Sequence, residues 1–179
     1  MARTLLFEIG TEEIPSGFID SAASFMRTYL EEAFGKIKLP CKDIRTFSTP
    51  RRLAVMATGI AETLPDIVET KMGPPRNIAF DKEGNPTRAA LGFAQTCGVD
   101  ISEVTVVTTP KGDYLSVTRT TPGRQAREVL PEILEDMIPK IPFAKTMRWS
   151  NPGVRFARPV HWILALFGED VLPVRFGTL

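Results

Sequence analysis

The chain has 179 residues, of which 43% are hydrophobic and 24% are charged, and its formal net charge is +1. This composition is typical of a globular protein, and it excludes collagen, coiled coils, disordered chains and disulfide scaffolds. The longest apolar run, residues 162–167, is far shorter than the roughly 20 residues that a membrane helix needs, so we expect a cytoplasmic protein without a membrane partner.

The first third of the chain predicts a strand, a long helix and two further strands. Residues 4–9 form a short, mostly apolar stretch, which is typical of a strand. Apolar residues that recur at steps of three and four predict a helix over residues 15–34, begun by a proline and followed by a glycine. Residues 44–48 and 53–60 predict two strands, and the second is apolar enough to lie inside a sheet.

The middle of the chain predicts a connection, a short helix and a hairpin. Residues 62–76 hold three prolines and a glycine, so we expect a connection without regular structure. Thr87 is the expected N-cap of a helix over residues 89–96. Two strands, over residues 104–109 and 114–120, flank the turn PKGD and predict a hairpin.

The last third of the chain predicts a second long helix, an irregular stretch and another hairpin. The helix covers residues 123–139, and Pro131 is expected to interrupt or kink it. Residues 139–159 are rich in proline, which disfavours regular structure. Residues 162–167 and 171–176 flank a GED turn, and the abrupt end after them leads us to expect a longer natural chain.

This order of elements predicts an α+β fold in which helices pack on mainly antiparallel β-sheets. The proline-rich connection divides the chain into two expected small lobes, residues 1–62 and 71–179. The two halves do not align well enough to predict an internal repeat.

Positive charge is concentrated in two segments of this nearly neutral chain. Residues 33–61 contain six lysines and arginines against one acid, and residues 137–168 contain five against none. Such segments can produce a local positive field, which favours a polyanionic partner. The alternative is that they form solvated faces whose charges pair with acids elsewhere in the fold.

Two groups of cations are candidates for binding the phosphates of a nucleic acid. Arg51 and Arg52 are expected in a turn between strands, where two adjacent guanidinium groups can bind successive phosphates in a bidentate way. In the second segment cations alternate with aromatic rings, a mixture that RNA-binding loops use for phosphate contact and base stacking. Its candidates are Lys145, Arg148, Trp149, Arg155 and Arg158.

The same aromatic pattern has a structural alternative that spacing does not exclude. Trp149 and Phe156 can instead anchor the loop in the core, with Arg148 and Arg155 packed over the two rings.

The chain contains none of the common phosphate-binding, serine-nucleophile or metalloprotease motifs. Glu8, Glu12 and Glu13 could form an acid–base or cation site, but we favour the interpretation that Glu12 and Glu13 complement the positive end of the first helix. An independent hydrolase would require these carboxylates to converge in one pocket. The single histidine, His161, is expected to be packed and hydrogen-bonded.

The two cysteines are expected to be reduced and apolar, and we predict no metal site. Cys41 and Cys97 lie far apart in sequence, and three cysteine and histidine residues without motif spacing are too few for a typical zinc site.

Six segments, in order along the chain, resemble the β subunit of bacterial glycyl-tRNA synthetase. They are LLFEIGTEEIP, STPRRLAV, KMGPP, residues 79–94 with AALGFA, FAKTMRW and RFARPVHWILALFG. Because chains of that family are several times longer, the resemblance implies that residues 1–179 are the N-terminal region of such a subunit.

The resemblance implies an α2β2 class II enzyme that uses ATP to join glycine to its tRNA. It implies that glycine and ATP bind to the α subunit, so this chain is expected to hold no cofactor and no catalytic residue. The expected role of the chain is tRNA binding and scaffolding, with the α subunit and tRNA as partners. The alternative is a platform that contacts the α subunit or later β domains without touching RNA.

Overall fold

The computed structural model describes residues 2–81, 83–110, 112–149 and 153–179. The strands are β1 (Ala2–Thr11), β2 (Asp43–Thr49), β3 (Arg52–Ala61), β4 (Ile67–Pro75), β5 (Thr105–Thr109), β6 (Gly112–Thr121), β7 (Met147–Arg148), β8 (Arg155–Phe156), β9 (Val160–Phe167) and β10 (Asp170–Val171). The helices are α1 (Ser16–Lys36), α2 (Arg76–Ala79), α3 (Arg88–Cys97) and α4 (Ala126–Met137), with single 3₁₀ turns at Ile101–Glu103 and Ile138–Lys140. The predicted α+β class is confirmed.

The chain divides into two compact units. Met1–Pro65 and Gly123–Leu179 together form the core unit, and Asp66–Pro122 form the inserted unit. This division differs from the predicted lobes of residues 1–62 and 71–179, because β9 pairs with β1 and returns the end of the chain to the first unit. Strand pairing between distant segments is not visible in the local sequence pattern.

The core unit is built on a five-stranded sheet with the order β10-β9-β1-β3-β2, and all of its neighbouring strands are antiparallel. The four strands β9-β1-β3-β2, with α1 after β1 and α4 before β9, have the ferredoxin-like split β-α-β arrangement. Strand alternation directs Leu5, Phe7 and Ile9 of β1 to one face, where all three are fully buried. Both helices pack on that face, and they bury Met26 of α1 and Leu130 of α4 in the same core.

The other face of this sheet, here called the open face, carries the alternate residues of each strand. Three of its large side chains remain substantially exposed: Phe47 on β2 (51%), Trp162 on β9 (39%) and Val171 on β10 (74%). The open face therefore contains side chains that the helices do not reach.

The inserted unit has a three-stranded sheet with the order β4-β6-β5 and a small core that includes Ala79, Ala90 and Leu115. The prediction for its helix is confirmed, because the Thr87 hydroxyl accepts a hydrogen bond from the Ala89 N–H and caps α3. Gly98 ends α3 in the left-handed conformation, with φ 67°.

Three predictions of secondary structure were wrong. Residues 139–159, expected to be irregular, contain the short antiparallel strands β7 and β8. Residues 62–76 are not a bare connection, because Ile67–Pro75 pair with β6 from Ile67 to Met72 before the register shifts near the prolines. The last hairpin is shorter than predicted, since β10 contains only Asp170–Val171. Pro173 has no N–H to donate to a strand, and Phe176 packs into the core.

The second long helix starts later than predicted, at Ala126, and Pro131 lies inside it without ending it. Pro131 is buried, so its ring contributes apolar contact to the core. Within the described parts of the chain, no helix is both long and apolar enough to span a membrane.

Candidate nucleic-acid interface

Arg51 and Arg52 lie where the β2–β3 hairpin turns, as the sequence predicts. Both residues are exposed. The backbone of the turn is held from two sides, because the Arg51 carbonyl accepts a bond from the Thr11 N–H at 2.9 Å and the Arg51 N–H donates to Thr49 Oγ1 at 3.3 Å. The Arg51 side chain has no ion pair with any carboxylate in the described residues, so it is available to an anion.

Arg52, in contrast, is partly engaged within the sheet. Its Nη1 lies 3.7 Å from Glu8 Oε1, and its guanidinium carbon lies 5.5 Å from the centroid of the Trp162 ring. Although 56% of its side chain is exposed, a phosphate would have to share Arg52 with Glu8.

Arg158 is half-buried and bonded to the backbone. Its Nε donates to the Glu13 carbonyl at 3.1 Å, and its Nη1 donates to the Ala157 carbonyl at 3.2 Å. It lines an open groove of about 530 Å³ together with Glu12, Glu13 and Pro50. Arg158 thus ties the segment before β9 to the start of α1, in addition to any contact with RNA.

The other three cations are here called the basic ribbon: Lys145, Arg148 and Arg155. Arg148 on β7 and Arg155 on β8 are directly paired across the short antiparallel ribbon, so their side chains lie on the same face. All three residues are exposed, and none of them pairs with a carboxylate of the described residues. The ribbon therefore presents three positive charges without internal neutralisation.

The two aromatic residues of this segment face the core. Phe156 is only 1% exposed, and its ring centroid lies 4.8 Å from that of Phe143. Trp149 is half-buried and packs beside Phe176, with ring centroids 6.2 Å apart. Both rings thus anchor the ribbon in the way that the alternative interpretation proposes, whereas Arg148 and Arg155 remain exposed.

The basic ribbon and the cations at the strand ends belong to the same unit. Arg155 and Arg158 are three residues apart, so their Cα atoms lie within about 11 Å of each other. Glu12 and Glu13 are exposed beside Arg51 and Arg158. The predicted site is consequently a positive ribbon next to a mixed-charge groove and is not a uniform basic patch.

The three glutamates do not share a buried pocket, so the structure does not support the hydrolase hypothesis. Glu12 and Glu13 are exposed, and Glu8 accepts a hydrogen bond from Trp162 Nε1 at 2.9 Å. The prediction of a packed His161 was wrong, since 51% of its side chain is exposed and its Nε2 lies 3.9 Å from Glu12 Oε1. In the described residues, no three cysteine, histidine or acidic side chains are grouped as metal ligands would be.

Sequence reasoning missed Trp162, which lies beside the predicted cations. One available signal was Gly10, because a glycine inside a strand often marks the close approach of another group. A Cβ added at Gly10 would lie 2.0 Å from the Trp162 ring, so the indole covers this glycine. The pairing of Gly10 with Trp162 depends on strand register and is not readable from either strand alone.

Comparison with known proteins gives a consistent result. A model of the family described as glycyl-tRNA synthetase beta subunit matches residues 5–179. The chain is 46% identical over 179 residues to the glycine–tRNA ligase beta subunit of Citrifermentans bemidjiense, and 49% identical over 177 residues to that of Geobacter metallireducens. These matches cover 100% and 99% of this chain but 26% of each relative, so the chain spans about a quarter of their length.

Proposed function

Because the chain belongs to the glycyl-tRNA synthetase beta subunit family, we propose that it helps a glycine–tRNA ligase to bind and position tRNA. The complete enzyme would be an α2β2 assembly, located in the cytoplasm, that uses ATP to attach glycine to tRNA. Glycine and ATP would bind to the α subunit, while this chain would contribute neither a catalytic residue nor a cofactor site.

The basic ribbon is the observation that carries the proposal. Two arginines paired across a short ribbon can each bind a phosphate through two parallel N–H···O bonds. Phosphate contacts fix the register and orientation of a nucleic acid without reading its sequence. Lys145 adds a third exposed charge, and Arg51, Arg52 and Arg158 extend the cations toward the strand ends.

Such contacts would act by positioning. An RNA held through its backbone loses rotational freedom, and its reactive end then reaches the catalytic site of another subunit at a higher effective concentration. The proposed role therefore requires no reactive side chain in this chain.

The test is tRNA binding by the complete ligase carrying Arg148→Ala and Arg155→Ala together. We expect weaker binding and a salt dependence whose log–log slope falls by about 2, roughly one unit for each lost phosphate contact. Filter binding at several salt concentrations measures both quantities. Arg27→Ala is the matched control, because Arg27 is an exposed arginine of the core unit that pairs with Glu31 on α1 at 2.8 Å.

An unchanged affinity and slope in the double variant would remove the ribbon from the tRNA site. If the same variant instead recovers less α subunit in a pull-down, the ribbon is a protein interface, as the platform hypothesis holds. The same pair of substitutions therefore distinguishes tRNA binding from binding of the α subunit.

A further inference from the structure

Trp162, Gly10 and Arg52 form one row across three strands of the open face. Gly10 of β1 is paired with Arg52 of β3 on one side and with Trp162 of β9 on the other. Because Gly10 has no side chain, the indole lies directly over the β1 backbone, where a Cβ would come within 2.0–2.3 Å of its ring atoms. The β1 backbone at Gly10 thus packs against the indole ring.

Glu8 fixes the orientation of this ring. It lies two residues before Gly10 on the same face of β1, and it accepts the hydrogen bond from Trp162 Nε1 at 2.9 Å. The same carboxylate oxygen lies 3.7 Å from Arg52 Nη1, and the Arg52 guanidinium carbon is 5.5 Å from the ring centroid. The indole is therefore held in place before any ligand binds, yet 39% of Trp162 is exposed.

An open groove of about 630 Å³ lies against this ring, a volume within the roughly 300–1,000 Å³ range of sites for small ligands. Its walls carry a cation, an imidazole, two carboxylates and a hydroxyl beside the indole. The lining residues are Thr11, Glu12, Glu13, Arg51, His161 and Trp162.

We propose that this groove binds one unpaired nucleotide of the tRNA, with its base stacked on Trp162 and its phosphate at Arg51. This inference rests on the proposed function and adds a base-contacting residue to it. An aromatic face stacks on any base, and nearby arginines bind the phosphate backbone. Arg51 is exposed and free of ion pairs in the described part of the chain, so its guanidinium can donate hydrogen bonds to a phosphate without breaking an internal ion pair.

The carboxylates of the groove limit what can bind there. Glu12 and Glu13 are exposed and would repel a phosphate, but their oxygens can accept hydrogen bonds from an amino group on a base edge. In the proposed binding mode the phosphate contacts Arg51 and the base edge contacts a carboxylate of the groove. A polyanion that lacks bases would therefore bind only weakly in this groove.

The test is tRNA binding by the complete ligase with Trp162→Leu, which keeps an apolar side chain over Gly10 but removes the stacking surface. We expect binding to weaken by about 5- to 100-fold, the usual effect of losing one base–aromatic stack, with an unchanged salt slope. Phe47→Leu is the matched control, since Phe47 is an exposed aromatic residue on edge strand β2 of the same sheet, and it should bind within twofold of the parent.

A second variant separates stacking from a structural role of the indole. Trp162→Phe loses the bond to Glu8 but retains a stacking ring, so it should keep most of the affinity. Replacing unpaired tRNA nucleotides one by one with abasic residues should weaken binding to the parent enzyme at one position, and Trp162→Leu should be insensitive at that position.

Two outcomes would overturn this inference while leaving the proposed function intact. One is parental affinity of Trp162→Leu alongside weakened binding of the Arg148 and Arg155 double variant. The other is an equal loss in Trp162→Phe and Trp162→Leu, with the same abasic sensitivity as the parent. If neither the tryptophan variant nor the arginine variant weakens tRNA binding, the proposed function itself fails.

Discussion

At the scale of single residues, two glycines show how a missing side chain organises this protein. Gly10 leaves room for the Trp162 ring on the open face, and Gly123 leaves room for the backbone of Leu64. In both cases the space matters more than the conformational freedom of glycine, since neither residue has a positive φ. A larger residue would have to displace an aromatic ring at Gly10 but a peptide group at Gly123.

Gly123→Ala is expected to destabilise the core unit by about 1–3 kcal/mol, because the added Cβ would lie 1.8 Å from the Leu64 carbonyl oxygen. Backbone atoms cannot rotate away as a side chain can. Urea unfolding followed by tryptophan fluorescence measures the loss, since both tryptophans belong to the core unit. Gly35→Ala in α1 is the control; its Cβ meets nothing within 4 Å, so it should leave stability unchanged or raise it by up to about 1 kcal/mol. Equal stability of the two variants would contradict this account of the close contact between Gly123 and Leu64.

At the scale of elements, features that depend on neighbouring residues were predicted better than features that depend on tertiary contacts. The cap at Thr87 and the glycine at the end of α3 are local chemistry, and the predicted Thr87 cap is confirmed. The strand β4 was missed because its residues are mostly exposed and end in two prolines, so its pairing with β6 defines it. A helix end is encoded by neighbouring residues, whereas an edge strand depends on a partner distant in sequence.

Thr87→Ala is expected to destabilise α3 by about 1 kcal/mol, because the Thr87 hydroxyl accepts from the Ala89 N–H and also donates to the Ile78 carbonyl at 2.8 Å. Hydrogen exchange of the α3 amides should accelerate about fivefold, the factor that corresponds to this energy. Thr87→Ser retains the hydroxyl and should exchange almost as slowly as the parent. If both variants accelerate alike, packing of the threonine methyl group and not the cap stabilises the helix.

At the scale of the whole molecule, the two segments of the core unit that flank the insertion are hydrogen-bonded to each other. The Leu64 N–H donates to the Arg124 carbonyl at 3.0 Å, and the Ala126 N–H donates to the Glu62 carbonyl at 2.8 Å. Thr63 and Gln125 form a bridge between these two bonds. The chain therefore leaves and re-enters the core unit at adjacent points, as inserted domains commonly do.

Replacing residues 66–122 with a short Gly-Ser linker is expected to leave the core unit folded, because its exit and entry points are already hydrogen-bonded to each other. Circular dichroism and a cooperative urea transition by tryptophan fluorescence are the measurements. Residues 66–122 expressed alone form the comparison; their small core, with Ala79, Ala90 and Leu115, predicts a much weaker transition. A shortened chain without a cooperative transition would show that the core unit depends on the insertion.

The sequence by itself determined the class of fold, most helices and strands, the family, and the two segments in which positive charge is concentrated. These properties are local or additive, since periodicity, capping residues and charge counts need no knowledge of strand partners. The predicted cations of the turn and of the ribbon are exposed, but Trp149 packs beside Phe176 although its spacing equally allowed base stacking.

Only the tertiary structure decided which side chains stand next to each other. Arg52, Gly10 and Trp162 are separated by 42 and 152 positions along the chain, and antiparallel pairing in one register places them in a single row. A shift of one residue would turn every side chain of a strand to the opposite face, so burial of Leu5, Phe7 and Ile9 fixes that register. The position of the indole beside Arg52 therefore follows from how the opposite face of the sheet is buried.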